Sequence, residues 1–465
     1  MKTKICILPA VMVFFLCSCT MAPDYVRPDA PVPENWPAYA KADTGAAAAS
    51  ELSWREFITD ERLRDVIETA LINNRDLRVS ALNVERAKAM YGIGKVTLLP
   101  SVNATGAWYK ERVPETLSTT GSAYTAEKFS VSLGITSWEL DFFGRIRSLK
   151  DKALEEYLAT DQAHLSSQIL LIATVAQAYL TLGADREALQ VVLETLEAQQ
   201  ETYNIIHKRY QAGMVSELDL YRAQSQLETA KGDAARYTQR VEQDENALHL
   251  LVGSSIRQDV LPRNLYSISE PRDLSFGLSS EKLLDRPDVL AAEHRLKAAN
   301  ANIGAARAAF FPRLSLTTAM GTASTDLAGL FKSGSGTWSF APQIVLPIFD
   351  ARTWYAYDVT KIEKEISIAQ YEKAIQTAFR EVADALAVKA AIDQQIEAQQ
   401  LLISALSEAH RLSELRYTRG VDSYLAVLDA QRSLYGAKQG LILLRLARSS
   451  NLVTLYKALG GENNP

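Results

Sequence analysis

Two hydrophobic periods alternate along the chain and divide it into helices and strands. From Leu63 to Leu99 apolar residues recur at helical spacing. Ser101 to Arg112 and Lys128 to Phe143 alternate instead, with Phe129, Val131, Leu133 and Ile135 set against Ser130, Ser132, Gly134 and Thr136, the repeat of a strand with one apolar face. Past Arg145 the helical period returns. Leu165, Ile169, Ile172, Ala176, Tyr179 and Gly183 step by four and three, as do Ile368, Tyr371, Ile375, Ala378, Val382 and Ala385, which is a heptad seam. No proline interrupts 145–212 or 351–419, so each stretch predicts one helix on the order of 100 Å long at about 1.5 Å per residue. Gly213 and Gly420 follow these stretches, where a glycine suits a left-handed turn into the next helix.

The pattern occurs twice. RYQAGMVSELDLYRAQSQL at 209–227 matches RYTRGVDSYLAVLDAQRSL at 416–434 with eight identities in nineteen, at an offset of 207, where chance gives about one. The same offset relates Leu140, Phe142 and Arg145 to Pro347, Phe349 and Arg352. Nearer the front, Asn74-Arg75-Asp76-Leu77 matches Arg286-Pro287-Asp288-Val289 at an offset of 212. The chain therefore reads as two copies, 51–270 and 271–465, each running helix, strand, loop, strand, very long helix, tight turn, long helix. The four strands are expected at about 100–112, 128–143, 312–324 and 337–349. The fold class is mainly α with a small β part.

The front of the chain has a different character. Lys2 and Lys4 precede an apolar run from Ile5 to Leu16, a secretory leader too short to span a bilayer. All three cysteines, Cys6, Cys17 and Cys19, fall in the first nineteen residues, which excludes an internal disulfide or thiolate metal site further on. Leu16-Cys17-Ser18-Cys19 resembles the bacterial lipobox. On that likeness residues 1–18 are a signal peptide and Cys19 carries a covalent lipid, the one non-protein group expected. Residues 19–50 form a Pro/Ala-rich arm that should be extended.

Composition narrows the function. The chain has 465 residues, 47% hydrophobic and 23% charged, ample for a folded core. Its net charge of −5 falls to −7 once residues 1–18, with two lysines and no acid, are removed, the wrong sign for a nucleic-acid partner. The histidines at 164, 207, 249, 294 and 410 form no HExxH, and no phosphate loop or nucleophile elbow is present, so neither enzyme chemistry nor a metal site is expected. Four short strands cannot close a membrane barrel, because open edges in hydrocarbon leave backbone groups unpaired. Chains must pool strands to cross lipid. Two copies give eight strands with a filled interior, and three give twelve with room for a lumen.

These features together resemble the TolC-type outer membrane factors, and within them the lipoprotein NodT/OprM-like channels of multidrug efflux systems. The likeness is carried by the lipobox, APDYVRP, ELDFFGRIR, LPIFDAR, RYQAG, RYTRG and DLAGLFKSGSGTWSF, and it runs from about Cys19 to Gly460. Thr20 after Cys19 favours outer-membrane sorting on the same likeness. The resemblance implies a homotrimer with a twelve-stranded β-barrel in the outer membrane, continuous with a long periplasmic α-helical barrel. It also implies a periplasmic adaptor (membrane fusion) protein and an inner-membrane resistance-nodulation-division type pump as partners. The chain would be the passive exit duct for drugs or other small molecules. A channel of the same architecture for metal ions or secreted proteins is the alternative, and a non-channel periplasmic coiled-coil lipoprotein leaves the strand pairs unexplained.

By the same resemblance the gate lies at the periplasmic helix tips, at Tyr417, Val421, Leu425 and Asp429. Leu425 and Asp429 stand one turn apart on one helix face, so threefold symmetry makes a leucine ring beside a carboxylate ring. The first copy has Tyr210, Met214, Leu218 and Arg222 at these positions, making Arg222 a candidate lock for Asp429. Read without the family, Asp429 pairs with Arg432 at an exposed surface and Leu425 is core. The turns at Gly213 and Gly420, flanked by Arg209 and Arg416, are the expected adaptor docking points. Trp108, Trp138, Trp338 and Trp354 near the strand ends suit an aromatic belt.

Overall fold

The computed structural model describes residues 20–37, 52–274 and 280–461; the expected signal peptide, Cys19 and the rest of the arm lie outside the described residues. A capped turn, α1 (Trp54–Phe57), leads into α2 (Glu61–Asn73) and α3 (Arg75–Val96). The strands β1 (Val102–Val113) and β2 (Tyr124–Leu140) follow, then α4 (Arg145–Gln211) and α5 (Glu217–Val252). The second copy repeats this as α6 (Pro287–Ala308), β3 (Arg313–Ser324), β4 (Gly336–Val345), α7 (Ala351–Thr418) and α8 (Tyr424–Ala458).

The helix expected from Leu63 to Leu99 is broken at Asn74, whose ψ of 129° leaves the helical region. The Asn74 carboxamide accepts from Leu77 N at 2.8 Å, starting α3, and donates to Leu251 O at 2.8 Å at the end of α5. Asx side chains compete with the backbone in this way at helix starts. The second copy makes the same contact with different chemistry: Arg286 donates to Ala458 O and also pairs with Asp288 at 2.7 Å and Glu381 at 2.9 Å.

The four strands form one antiparallel sheet in the order β1-β2-β3-β4. β2 begins at Tyr124 and stops at Leu140, short of Phe143, because a turn with Gly144 at φ 73° intervenes. Asp141 in that turn accepts from Ile146 N and Arg147 N at 3.1 and 2.9 Å, and so caps α4. β4 stops at Val345 rather than 349; Pro347 has no N–H to continue a ladder. One extra residue is accommodated in β2 between Ile135 and Trp138, with Ser137 at φ 53°, a β-bulge.

Two compact units result, and they cut across the duplication at 270/271. One takes the arm to Asp29, Asn83–Asp161 and Ala291–Tyr371; the other takes Ala30–Leu82, Gln162–Leu290 and Glu372–Pro465. Each draws matching stretches from both copies. The second unit's core is the heptad seam: Ile172, Ala176 and Tyr179 of α4 and Ile375, Ala378 and Val382 of α7 are buried, and Phe57 stacks on Tyr456 at 4.4 Å. A window of α4 is apolar enough to cross a membrane by composition, but half of it is buried within the protein.

Candidate functional site

The two tight turns are built alike. In the first, Met214 N donates to Arg209 O and Gly213 N to Tyr210 O, both at 2.9 Å; in the second, Val421 N donates to Arg416 O at 2.9 Å and Gly420 N to Tyr417 O at 3.0 Å. This is the Schellman closure of a helix, and it needs the left-handed residue that both glycines provide at φ 71°. The flanking arginines differ. Arg416 clamps Asp422 through two bonds of 2.5 and 3.1 Å, which holds the Asp422 carboxyl below its usual range. Val215 stands at the matching place in the first copy, and Arg209 lies 5.9 Å over the Tyr417 ring instead.

The start of α8 presents two faces. Tyr424, Val427 and Leu428 are buried with Ile206 and Ala223, stitching the two helical hairpins together; Tyr417 packs half-buried on this cluster, 5.3 Å from Tyr424. The opposite face exposes Leu425 and Asp429, and Val421 is exposed in the turn before the helix. Among the described residues Asp429 and Arg432 form no ion pair although only three positions separate them. Arg222 has Asp219 as its nearest carboxylate, at 3.8 Å, and within one chain it is not brought to Asp429. Tyr424 escaped the sequence reading. Its spacing of three and four to Val427 and Leu428 is the signal that it belongs to the core.

The sheet is amphipathic across its whole width. Register puts Trp108, Phe129, Val131, Leu133, Ile135, Met320, Trp338, Phe340 and Ile344 on one face, and Asn103, Thr105, Ser130, Ser132, Ser315, Ser339 and Gln343 on the other. The bulge keeps the faces in phase: beyond it Trp138 and Leu140 join the apolar side, opposite Leu316 and Leu314. From Phe129 to Leu140 the apolar row covers about 35 Å of strand, or about 25 Å of depth at a tilt near 45°, the height of an outer-membrane apolar band. Trp108 lies where this row meets charge, donating to Glu127, which also pairs with Lys110. Trp354 lies instead on α7, edge-on to Phe310.

The arm docks on α6 in a way local pattern could not disclose. Glu293, whose side chain is 3% exposed, accepts from Arg27 at 3.1 and 2.6 Å and from Tyr25 at 3.1 Å, and pairs with Lys297 at 3.0 Å. Burial pushes the Glu293 carboxyl up, but the bonds from Arg27 and Lys297 outweigh it and leave it below its ordinary value. Asn300 donates to Pro23 O at 2.7 Å along the same path.

The chain matches the family model described as outer membrane efflux protein over residues 66–254 and 278–461, once per copy. It is 45% identical over 463 residues to the toluene efflux pump outer membrane protein TtgC of Pseudomonas putida, covering 99% of this chain and 96% of that protein. Its fold is similar to the crystal structure of a membrane protein from Pseudomonas aeruginosa, with a TM-score of 0.89 and 40% identity over 96% of this chain and 98% of that one. The open state of the Neisseria gonorrhoeae MtrE outer membrane channel gives a TM-score of 0.85 and 40% identity, over 95% and 98% of the two chains. An apolar-faced sheet of membrane height and a duplicated order of long helices, together with these likenesses, lead to one conclusion: the chain belongs to the outer membrane efflux protein family and is an outer membrane channel of an efflux pump.

Proposed function

We propose that three copies of the chain close one conduit, anchored by a lipid on Cys19, that receives small organic molecules from a periplasmic adaptor and an inner-membrane resistance-nodulation-division type pump and lets them out passively. The observation that carries this reading is the unfinished sheet. Among the described residues β1 and β4 each leave an edge without a strand partner, which in hydrocarbon costs several kcal/mol per group. Because the strands alternate in direction, β4 of one copy meets β1 of the next antiparallel. Exposed apolar side chains precede β1 and follow β4 in the chain, namely Ile93, Val96 and Leu99 along and just past α3, and Ile348, Phe349, Tyr355 and Val359 after β4. Their burial between copies is worth roughly 1.5–3 kcal/mol for each large side chain.

The toluene named for the Pseudomonas putida relative is a small apolar solute, which fits a wide duct that leaves selection to the pump. The protein is a passage, not a catalyst. Leu425 supplies a ring that resists wetting, Asp429 an acidic ring that favours cations, and the turns at Gly213 and Gly420 with Arg209 and Arg416 the surface for the adaptor. Asp429 forms no ion pair among the described residues, which supports its availability at the threefold axis. Planar-bilayer recording of the purified protein tests the reading. Wild type should conduct with cation preference, and Asp429→Ala should lose that preference while keeping a pore. Absence of any pore, even with the tips altered to open, would refute the conduit.

A further inference from the structure

ELDFFGRIR and LPIFDAR carry the family likeness, yet passive conduction gives them no task of their own. The fold wraps both, with Phe311 and Arg313, around a cavity of about 560 Å³ where the strands run into the helices. Its polar wall is the row Glu139, Ser315 and Gln343, which register places on the polar face of the sheet. Its apolar wall is aromatic: Phe142 lines it, and Phe143 stacks on Phe311 at 4.8 Å.

Charge around this cavity does not cancel. Asp141 is satisfied by Arg147 and two backbone N–H groups, and Asp350 by Arg352 at 3.0 and 3.1 Å. Both oxygens of Glu139 are taken by Arg145 at 2.8 Å. Arg313 stands 3.5 Å from an oxygen already engaged, with 57% of its side chain exposed. Three carboxylates, Glu139, Asp141 and Asp350, line the cavity with two guanidiniums, Arg145 and Arg313; with Arg147 and Arg352, which pair with Asp141 and Asp350 from outside the lining, the group holds four guanidiniums against three carboxylates, and Arg313 is the one with no carboxylate oxygen to itself. The first copy cannot repeat the arrangement, because Ser101 occupies the place matching Arg313.

We propose that this cavity binds an aromatic anion, its carboxylate or sulfonate on the Arg313 guanidinium and its ring against Phe142 and Phe311. A guanidinium offers paired N–H donors that match a planar anion, and an aromatic wall beside it suits the organic body. The placement of the site on the conduit's inner surface rests on the proposed function above; binding itself rests on the cavity alone. An effluxed solute of this class would pause here on passing from helices to strands.

Equilibrium dialysis of the full-length purified protein, with the same non-ionic detergent in both chambers, tests the proposal with 1-naphthoate as probe. One naphthoate per chain should bind. Affinity should fall at least five-fold in Arg313→Gln, recover largely in Arg313→Lys, and stay unchanged in Arg411→Gln, which alters an exposed pair with Glu408 elsewhere. Neutral 1-naphthylmethanol should bind wild type and Arg313→Gln alike. Equal naphthoate binding by wild type and Arg313→Gln, an equal loss in Arg411→Gln, or no naphthoate binding at all would overturn the site. Loss of the alcohol in Arg313→Gln would overturn its assignment to anions. Bilayer conductance of wild type judges the conduit separately, so a pore without a naphthoate site sinks this proposal alone.

Discussion

Arg286 and Asn74 hold matching places in the two copies and tie down matching helix ends, but the second copy uses a buried charge where the first uses an amide. Arg286→Ala leaves Ala458 O unpaired and strips Glu381 and Asp288 of their cation, so it should cost about 2–4 kcal/mol, read as a lower unfolding midpoint. Asn74→Ala, which loses a neutral cap, should cost about 1 kcal/mol. A second residue-scale expectation concerns acid. Burial first, and then the neighbouring Asp185 carboxylate, push the Asp244 carboxyl up to about 6, against the pull of Arg240. An unfolded aspartate titrates near about 3.9, so the stabilising proton is fully held below that pH and lost as pH rises through about 6. Asp244→Asn should therefore raise the unfolding midpoint at pH 7.5 and leave it unchanged at pH 4; a variant that is no more stable at neutral pH would contradict the assignment.

Elements carry the next set of expectations. Leu133 and Ser132 are neighbours in β2 but point to opposite faces of the sheet. Leu133→Arg places a charge in the apolar band and should cost about 2–4 kcal/mol, seen as a fall in heat-modifiable oligomer recovered from the outer membrane. Ser132→Arg, on the polar face, should assemble. Assembly of both in equal yield would contradict the assignment of faces. The helices and strands were largely legible in the sequence because each follows one period and the duplication lets one copy check the other. The long helices end within a residue of the glycine-based expectation. Asn74 hid inside a continuous helical pattern, since its break depends on Leu251, far away in the chain. The bulge left only a faint mark, apolar residues at 135 and 138 where strict alternation allows 135 and 137.

At the scale of the whole molecule, the sequence disclosed the architecture through what one chain lacks. Among the described residues, four strands with two bare edges call for companions, whereas contacts such as Arg27 on Glu293 and Arg313 beside Glu139 join residues from distant stretches and leave no local period. The proposed gate follows the same rule: α8 shows that Leu425 and Asp429 share an exposed side, and the proposed ring they form belongs to the assembly, not to one chain. Native mass spectrometry of the protein released gently from outer membranes tests the central claim most directly, because it counts chains in the particle that carries the sheet. The predicted particle holds three chains; particles of a single chain whose strands had nonetheless been fully embedded in the bilayer would contradict the account.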